Sequence, residues 1–213
     1  MGLETRENVT PTVKNPFIFD TGNVRILVTY SNEQLVGKVS SDALFLASPV
    51  WKKFLFPPWV IQNTSDVVSE IAAEVGTKEI DCSEDDGEAL LMLLNIAHLN
   101  FAAVPSKLPY NTLFHLALLV DQYQCIKLVQ PWLKEWMINE GRESRLHGQE
   151  GWLFIAWVFG REDVFEALAM KLVPCLGIDS KGNFMRDLAY LRAEPMPDGI
   201  IGKYPLFGDW SFD

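Results

Sequence analysis

The sequence predicts an α+β protein, a small three-stranded sheet with a β-hairpin, covered by a cluster of about five or more helices and followed by a helical pair. Three observations predict it. β-branched residues crowd 24–30, a turn follows, and 34–39 again has strand character. A short run, Lys78 to Cys82, looks like a strand standing alone between helical stretches. Over much of 86–172 apolar residues recur at helical spacing, i, i+3, i+4 and i+7.

Residues 1–19 hold Glu, Thr, Asn and two prolines without periodicity, so a flexible arm is expected there, with structure starting near Asp20. Val24, Ile26, Val28 and Tyr30 share one face of the first strand. Ser31-Asn32-Glu33 supplies turn chemistry, and Leu35 and Val39 are in phase on a second strand, Gln34 to Val39. Ser40 or Ser41 can cap a short helix that buries Leu44 and Ala47. Pro49 suits the first turn of another, Val50 to Phe56, which Pro57-Pro58 stops. Val67, Val68, Ile71, Ala72 and Val75 recur at helical spacing, which predicts a helix from about Ser65.

After the third strand, Ser83-Glu84-Asp85-Asp86 is a helix-start signature, with acidic groups beside the positive end of the macrodipole. The helix from Asp86 to about Leu99 is apolar on several sides, which predicts a central position. Pro109 fits the first position of the next helix, where Leu113, Leu116, Ala117 and Val120 make the apolar stripe. Val129, Trp132, Leu133, Trp136 and Met137 repeat the spacing, with Pro131 marking a kink or a late start. Gly141 to Gly148 reads as a polar linker. Trp152, Ile155, Ala156 and Phe159 form a stripe that Gly160 ends. Asp163 with Glu166 suggests the cap of a helix burying Phe165, Leu168, Ala169 and Leu172, closed by Pro174. Beyond Cys175 the chain is rich in Gly and Pro, and a turn of helix is expected around Met185 to Leu191. The expected division is an arm over 1–19, a main domain over 20–139, a helical extension over 140–175 and a Gly/Pro-rich tail with aromatics over 176–213.

Charge narrows the function. The formal net charge is −10 and there is no Lys/Arg run, so binding to nucleic acid phosphates or to an anionic membrane is not expected. Cys82, Cys125 and Cys175 are odd in number and far apart, which fits a reducing compartment, cytoplasmic or nuclear. Met1 to Asn15 is polar, and no apolar run is long enough to span a membrane.

Catalytic constellations are weak. His98, His115 and His147 are scattered over two helices and a linker, and Cys82 and Cys125 read as core positions. Glu84-Asp85-Asp86 reads as a helix start rather than a carboxylate pair for acid–base work. Gly199, Gly202 and Gly208 precede no helix with a Lys-Ser/Thr, so no phosphate cradle is expected. The expectation is a non-enzymatic protein without metal or cofactor.

Several stretches resemble the BTB/POZ family, in particular the short BTB proteins common in fungi. Val24 to Val28 is similar to the family's first strand, and Val39 to Trp51, with Ala47-Ser48-Pro49-Val50-Trp51, to its strand-to-helix stretch. Ile80 to Asp86 followed by Ala89 to His98 resembles the third strand and helix. Leu116 to Cys125, with Asp121-Gln122-Tyr123, resembles the closing helix, and Trp152 to Gly160 the helix that follows the domain. The resemblance covers roughly residues 20–173 and implies a protein–protein interaction module that self-associates, as a homodimer, or recruits partners. It also implies an alternative, a substrate adaptor for a cullin-type ubiquitin ligase. It departs at Asn23, Ser40 and Asp42, where members often carry Asp, His and a basic residue in a charged groove at the dimer centre. These departures weaken the case for the usual co-repressor recruitment and for dimerisation in the usual way. Residues 57–76 look like an insertion, and 99–108 lacks a clear fourth strand.

The candidate contacts are aromatic. Trp51, Phe54 and Phe56 precede Trp59 in a Pro-flanked loop, an unusual amount of apolar surface for a short helix. With Tyr110, Phe114 and Tyr123, which lie where the resemblance puts a cullin contact, they make the expected partner-binding set. Core packing competes with this reading, most strongly at Trp51. Tyr204, Phe207, Trp210 and Phe212 in the tail either dock on the body of the protein or bind a partner.

Overall fold

The computed structural model describes residues 15–57, 78–146, 149, 151–172 and 180, with the strand segments 176–178, 184–186 and 189–190. The helix expected from Ser65 and the aromatics of 204–213 lie outside them. Strands β1 (Val24–Tyr30) and β2 (Glu33–Val39) form an antiparallel hairpin in which Val24 faces Val39 and Tyr30 faces Glu33. Ser31 and Asn32 both have positive φ, 52° and 64°, so the two-residue connection has the handedness that matches strand twist. Strand β3 (Glu79–Cys82) runs parallel to β1 on its other side, giving a mixed sheet of order β2-β1-β3. Val24, Ile26 and Val28 are buried with Ile80 and Cys82, while Arg25 faces out and pairs with Glu79 at 3.4 Å. One face of the sheet is core and the other is wet, as period-two alternation dictates.

The fold starts earlier than Asp20. Phe17 is fully buried, and its carbonyl accepts the Lys38 N–H at 2.8 Å while the Phe19 N–H reaches the Lys38 carbonyl at 2.9 Å. Gly37 makes this possible, because a Cβ there would stand 2.7 Å from Phe17 Cβ and 2.8 Å from Ile26 Cγ1. The arm expected over 1–19 is corrected to end before this strap, since a buried Phe outweighs the polar composition around it.

Helices α1 (Ser41–Ala47) and α2 (Pro49–Leu55) follow, capped by Ser40 and Ser48, with Pro49 in the first turn of α2. Asp86 caps α3 (Gly87–Ala97), its Oδ1 accepting the Ala89 N–H at 2.9 Å. This helix is central: Leu90, Leu93, Leu94 and Ile96 are all buried. At its first residue the chain touches the end of β1, where a Cβ on Gly87 would lie 2.3 Å from the Thr29 carbonyl oxygen. A single 3-10 turn, Phe101–Ala103, occupies the stretch without a fourth strand. Helix α4 (Tyr110–Gln122) buries Leu113, Leu116, Ala117 and Val120 as expected, with Pro109 as its extended N-cap rather than its first residue.

The next apolar stretch is not one helix but two short ones, α5 (Ile126–Val129) and α6 (Leu133–Trp136), separated at Pro131, which has no N–H to give. A further turn, α7 (Glu140–Glu143), overlaps the start of the expected linker. Helix α8 (Trp152–Val158) is buried on every side over Trp152 to Ala156, and α9 (Glu162–Leu172) packs on it. Asp163 sits in the first turn of α9 instead of capping it. Where a turn of helix was expected around Met185, the chain forms an antiparallel sheet of β4 (Leu176–Ile178), β5 (Phe184–Arg186) and β6 (Ala189–Tyr190). So short a helix is a poor nucleus, and Phe184 and Tyr190 favour strands. The molecule is α+β, and among the described residues no helix is long and apolar enough to cross a membrane.

Candidate partner-binding surface

Helix phase decides which aromatics reach the surface. In α2, Trp51 and Leu55 stand four apart and turn into the core, so Phe54 is carried outward and Phe56 follows at the C-cap. Phe54 is 53% exposed and Phe56 51%. Leu44 anchors α1 in the core, which leaves Phe45 38% exposed and Leu46 83% exposed. The Phe45 and Phe56 rings meet edge to face at 5.8 Å. Lys52 Nζ sits 4.4 Å over the Phe45 ring, and Lys78 Nζ sits 4.3 Å over Phe56 while donating to the Leu55 carbonyl. The result is an apolar, aromatic surface edged by cations, within a chain of net charge −10.

Of the seven expected contact residues, Phe54 and Phe56 are on this surface. Trp59 lies outside the described residues. Trp51, Phe114 and Tyr123 are buried and offer a partner nothing in this conformation. Trp51 packs against Tyr123 with ring centroids 4.8 Å apart, and Phe114 meets Phe154 edge to face at 6.0 Å. Tyr110 is half-buried, and its hydroxyl accepts the Gly151 N–H at 3.1 Å, tying α4 to the start of α8. Phe45, Leu46, Lys52 and Lys78 belong to the surface without having been singled out. The available signal was Leu44: once it is core, its two successors on a one-face helix must point away.

The residues that looked most like motifs hold the fold together. Ser48 is buried, and its Oγ accepts the N–H groups of Val50 and Trp51 at 3.1 and 3.0 Å while donating to the Tyr123 carbonyl at 2.6 Å. One hydroxyl thus starts α2 and ties it to the end of α4. Tyr123 donates its hydroxyl to Asp85, which also accepts from Gln122 Nε2 at 3.1 Å. Burial pushes the Asp85 carboxyl above its ordinary value despite these two hydrogen bonds, and it pushes the Tyr123 hydroxyl up as well.

A cleft of about 640 Å³ opens beside these groups, between the hairpin turn, the start of α3 and His115 of α4. Two of its carboxylates are held within the fold: Asp86 caps α3 with Oδ1 and holds His115 Nδ1 at 3.0 Å with Oδ2, and Asp85 accepts from Tyr123 and Gln122. Burial raises both Cys82 and Cys125 to about 12, so neither thiol is a thiolate near neutral pH. His98 is structural too: Nδ1 donates to the Leu94 carbonyl at 2.7 Å, Nε2 accepts the Ser40 N–H at 2.9 Å, and the ring stacks on Phe19 at 3.9 Å. Among the described residues no three His, Cys, Asp or Glu side chains converge as a metal site would need. No family model matches the chain, and no curated protein matches it either.

Proposed function

We propose that this chain is a non-enzymatic protein–protein interaction module of BTB/POZ type that recruits a partner, or a second copy of itself, through the α1–α2 surface. The observation that carries the reading is the exposed Phe45–Phe56 ring pair, with Leu46 and Phe54 also exposed on the same two helices. A contiguous aromatic patch ringed by polar groups is the usual mark of a binding surface. The fold part of the reading is supported by the order of elements: a hairpin, a helix pair, a strand beside the first, a central helix, and then more helices. It is also supported by what the family-like residues do, since Ser48, Trp51 and Tyr123 make one joint between α2 and α4. At the departures from the family, Asn23 bonds the Ser41 N–H at 2.8 Å and its hydroxyl at 2.9 Å, and His98 takes the Ser40 N–H. These groups are used internally, which favours a contact surface on α1–α2 over the groove of dimeric members.

The test is affinity capture with the tagged full-length chain beside its Phe54→Ser, Phe56→Ser double variant, with light scattering on both. A discrete set of co-purifying proteins, or a dimer mass, should be present with the natural chain and lost with the variant. A cullin in that set would assign the adaptor role. Capture and mass that are the same for both chains would remove this surface from the function.

A further inference from the structure

We propose that the α1–α2 surface of one copy docks in the acidic cleft of a second copy, so that this chain associates head to tail. The inference rests on the reading of that surface as the partner site and names both the partner and the place where it is met. The two faces have opposite chemistry. Phe45, Phe54 and Phe56 offer apolar area, with Lys52 over the Phe45 ring, Lys78 over the Phe56 ring and Lys53 exposed beside them. Among the described residues none of these three lysines has an ion-pair partner.

The cleft of about 640 Å³ presents the reverse. Asp85 and Asp86 are held within the fold, but Glu84 and Glu88 line the cleft, are exposed, and have no ion-pair partner among the described residues. Among those residues no Lys or Arg lines it, and half-buried Tyr30 and Leu118 give it an apolar wall. Its volume is of the order that buries a small ligand, so it has room for a phenyl ring and a lysine stem together. Apolar area bordered by complementary charge is how protein interfaces are built, and α2 carries the matching groups.

The sheet sets the two faces apart. Strands β1 and β3 run parallel, with Arg25 beside Glu79 at one end and Val28 beside Cys82 at the other. Lys78 precedes β3 at the first end, and the cleft residues Tyr30 and Ser83 follow at the second. The run from Lys78 to Ser83 spans roughly 16 Å at the rise of a strand. One chain therefore cannot close its own surface on its own cleft, and two copies joined this way leave one face of each kind unused. Such a contact is heterologous and repeats, either closing a ring or growing as a chain. The net charge of −10 opposes the approach of two copies in general, which favours the one orientation that brings opposite local charges together.

The experiment is light scattering on the full-length chain over a range of concentrations. The mass should climb past that of two chains and should fall when salt is raised from about 0.1 M to about 0.5 M. Lys52→Glu with Lys53→Glu should weaken association about tenfold, and so should Glu84→Lys with Glu88→Lys. The milder Glu84→Gln, Glu88→Gln chain, which keeps the side-chain shapes, should fall between. All four reversals in one chain should restore association, because surface and cleft have then exchanged sign. A contact between two α1–α2 surfaces would gain nothing from that exchange. A mass of one chain at every concentration, growth that stops at two, or association indifferent to the Gln and Lys changes in the cleft would overturn the proposal. So would a fourfold variant that is folded by circular dichroism and does not associate. The two readings fail separately: if the cleft substitutions change nothing while the Phe54→Ser, Phe56→Ser chain still loses its captured proteins, the head-to-tail contact is wrong and the partner surface stands.

Discussion

At the scale of single residues, the polar groups inside this protein are joints, and each joint has a measurable strength. Ser48 satisfies two helix-start N–H groups and gives its own proton to the Tyr123 carbonyl. Ser48→Ala should therefore cost about 2–3 kcal/mol, a cap plus a buried hydrogen bond, read as a lower urea midpoint. A cost under about 0.5 kcal/mol would mean the joint is redundant. His98 couples the same logic to pH. Burial disfavours the charged ring and lowers its folded-state pKa below the ordinary 6.5, against the opposing bond to the Leu94 carbonyl. Above 6.5 neither state is charged and the joint contributes fully. As pH falls below that, the unfolded chain takes the proton first, and stability declines until the folded pKa is passed. From about pH 7 to about pH 5.5 the urea midpoint should fall, and His98→Gln should flatten that slope. Asp85 works in the opposite sense at lower pH: its raised folded pKa adds stability as pH falls toward 3.8, so Asp85→Asn isolates the histidine contribution.

At the scale of elements, three helices end in one hydrogen-bond pattern, and only one of the three was legible. In α3 the Asn100 N–H reaches the Asn95 carbonyl and the Leu99 N–H the Ile96 carbonyl. In α4 Cys125 pairs with Val120 and Gln124 with Asp121, and in α8 Arg161 pairs with Ala156 and Gly160 with Trp157. Each needs a left-handed residue after the last turn, and these are Leu99, Gln124 and Gly160, with φ of 61°, 51° and 66°. Gly160 announces itself; a Leu or Gln in that role does not, because its side chain argues against the conformation it is held in. Leu99 is exposed and packs little, so Leu99→Gly should stabilise the protein by about 0.5–1 kcal/mol, the left-handed strain removed less the entropy glycine adds. A thermal melt of the variant that shifts down instead would mean Leu99 packs in a way the exposure hides. Gly87→Ala goes the other way. Its Cβ would strike the Thr29 carbonyl, backbone that cannot step aside, and about 2 kcal/mol of destabilisation is expected. The hairpin, the serine cap of α1, Pro49 in the first turn of α2 and the helix over 110–122 were readable because local chemistry and tertiary demand agree there. The β4–β6 sheet was not, since its pairing is set between segments and leaves no period within one.

At the scale of the whole molecule, the sequence marked aromatic residues but could not say which face of a seven-residue helix would turn inward. Trp51 and Phe54 differ by three positions and end on opposite sides of the core boundary. The same ambiguity touches the helical extension, which reads in sequence as an appendage after a polar linker. In the structure Trp152, Leu153 and Ile155 belong to the same continuous core as Leu93 and Leu116. Tyr110 grips Gly151, Phe114 meets Phe154, and Arg161 pairs with Glu140 through Nε at 3.1 Å and through Nη2. A core shared in this way should unfold as one unit. Leu153→Ala, which empties a fully buried site in α8, should cost about 2–5 kcal/mol and destabilise residues 20–139 along with the extension. Hydrogen exchange reads this directly: amides of β1 and α3 should lose protection in parallel with those of α8. Protection in β1 and α3 that stays at its natural level while α8 opens would divide the molecule into two folding units, with the extension free to move against the rest.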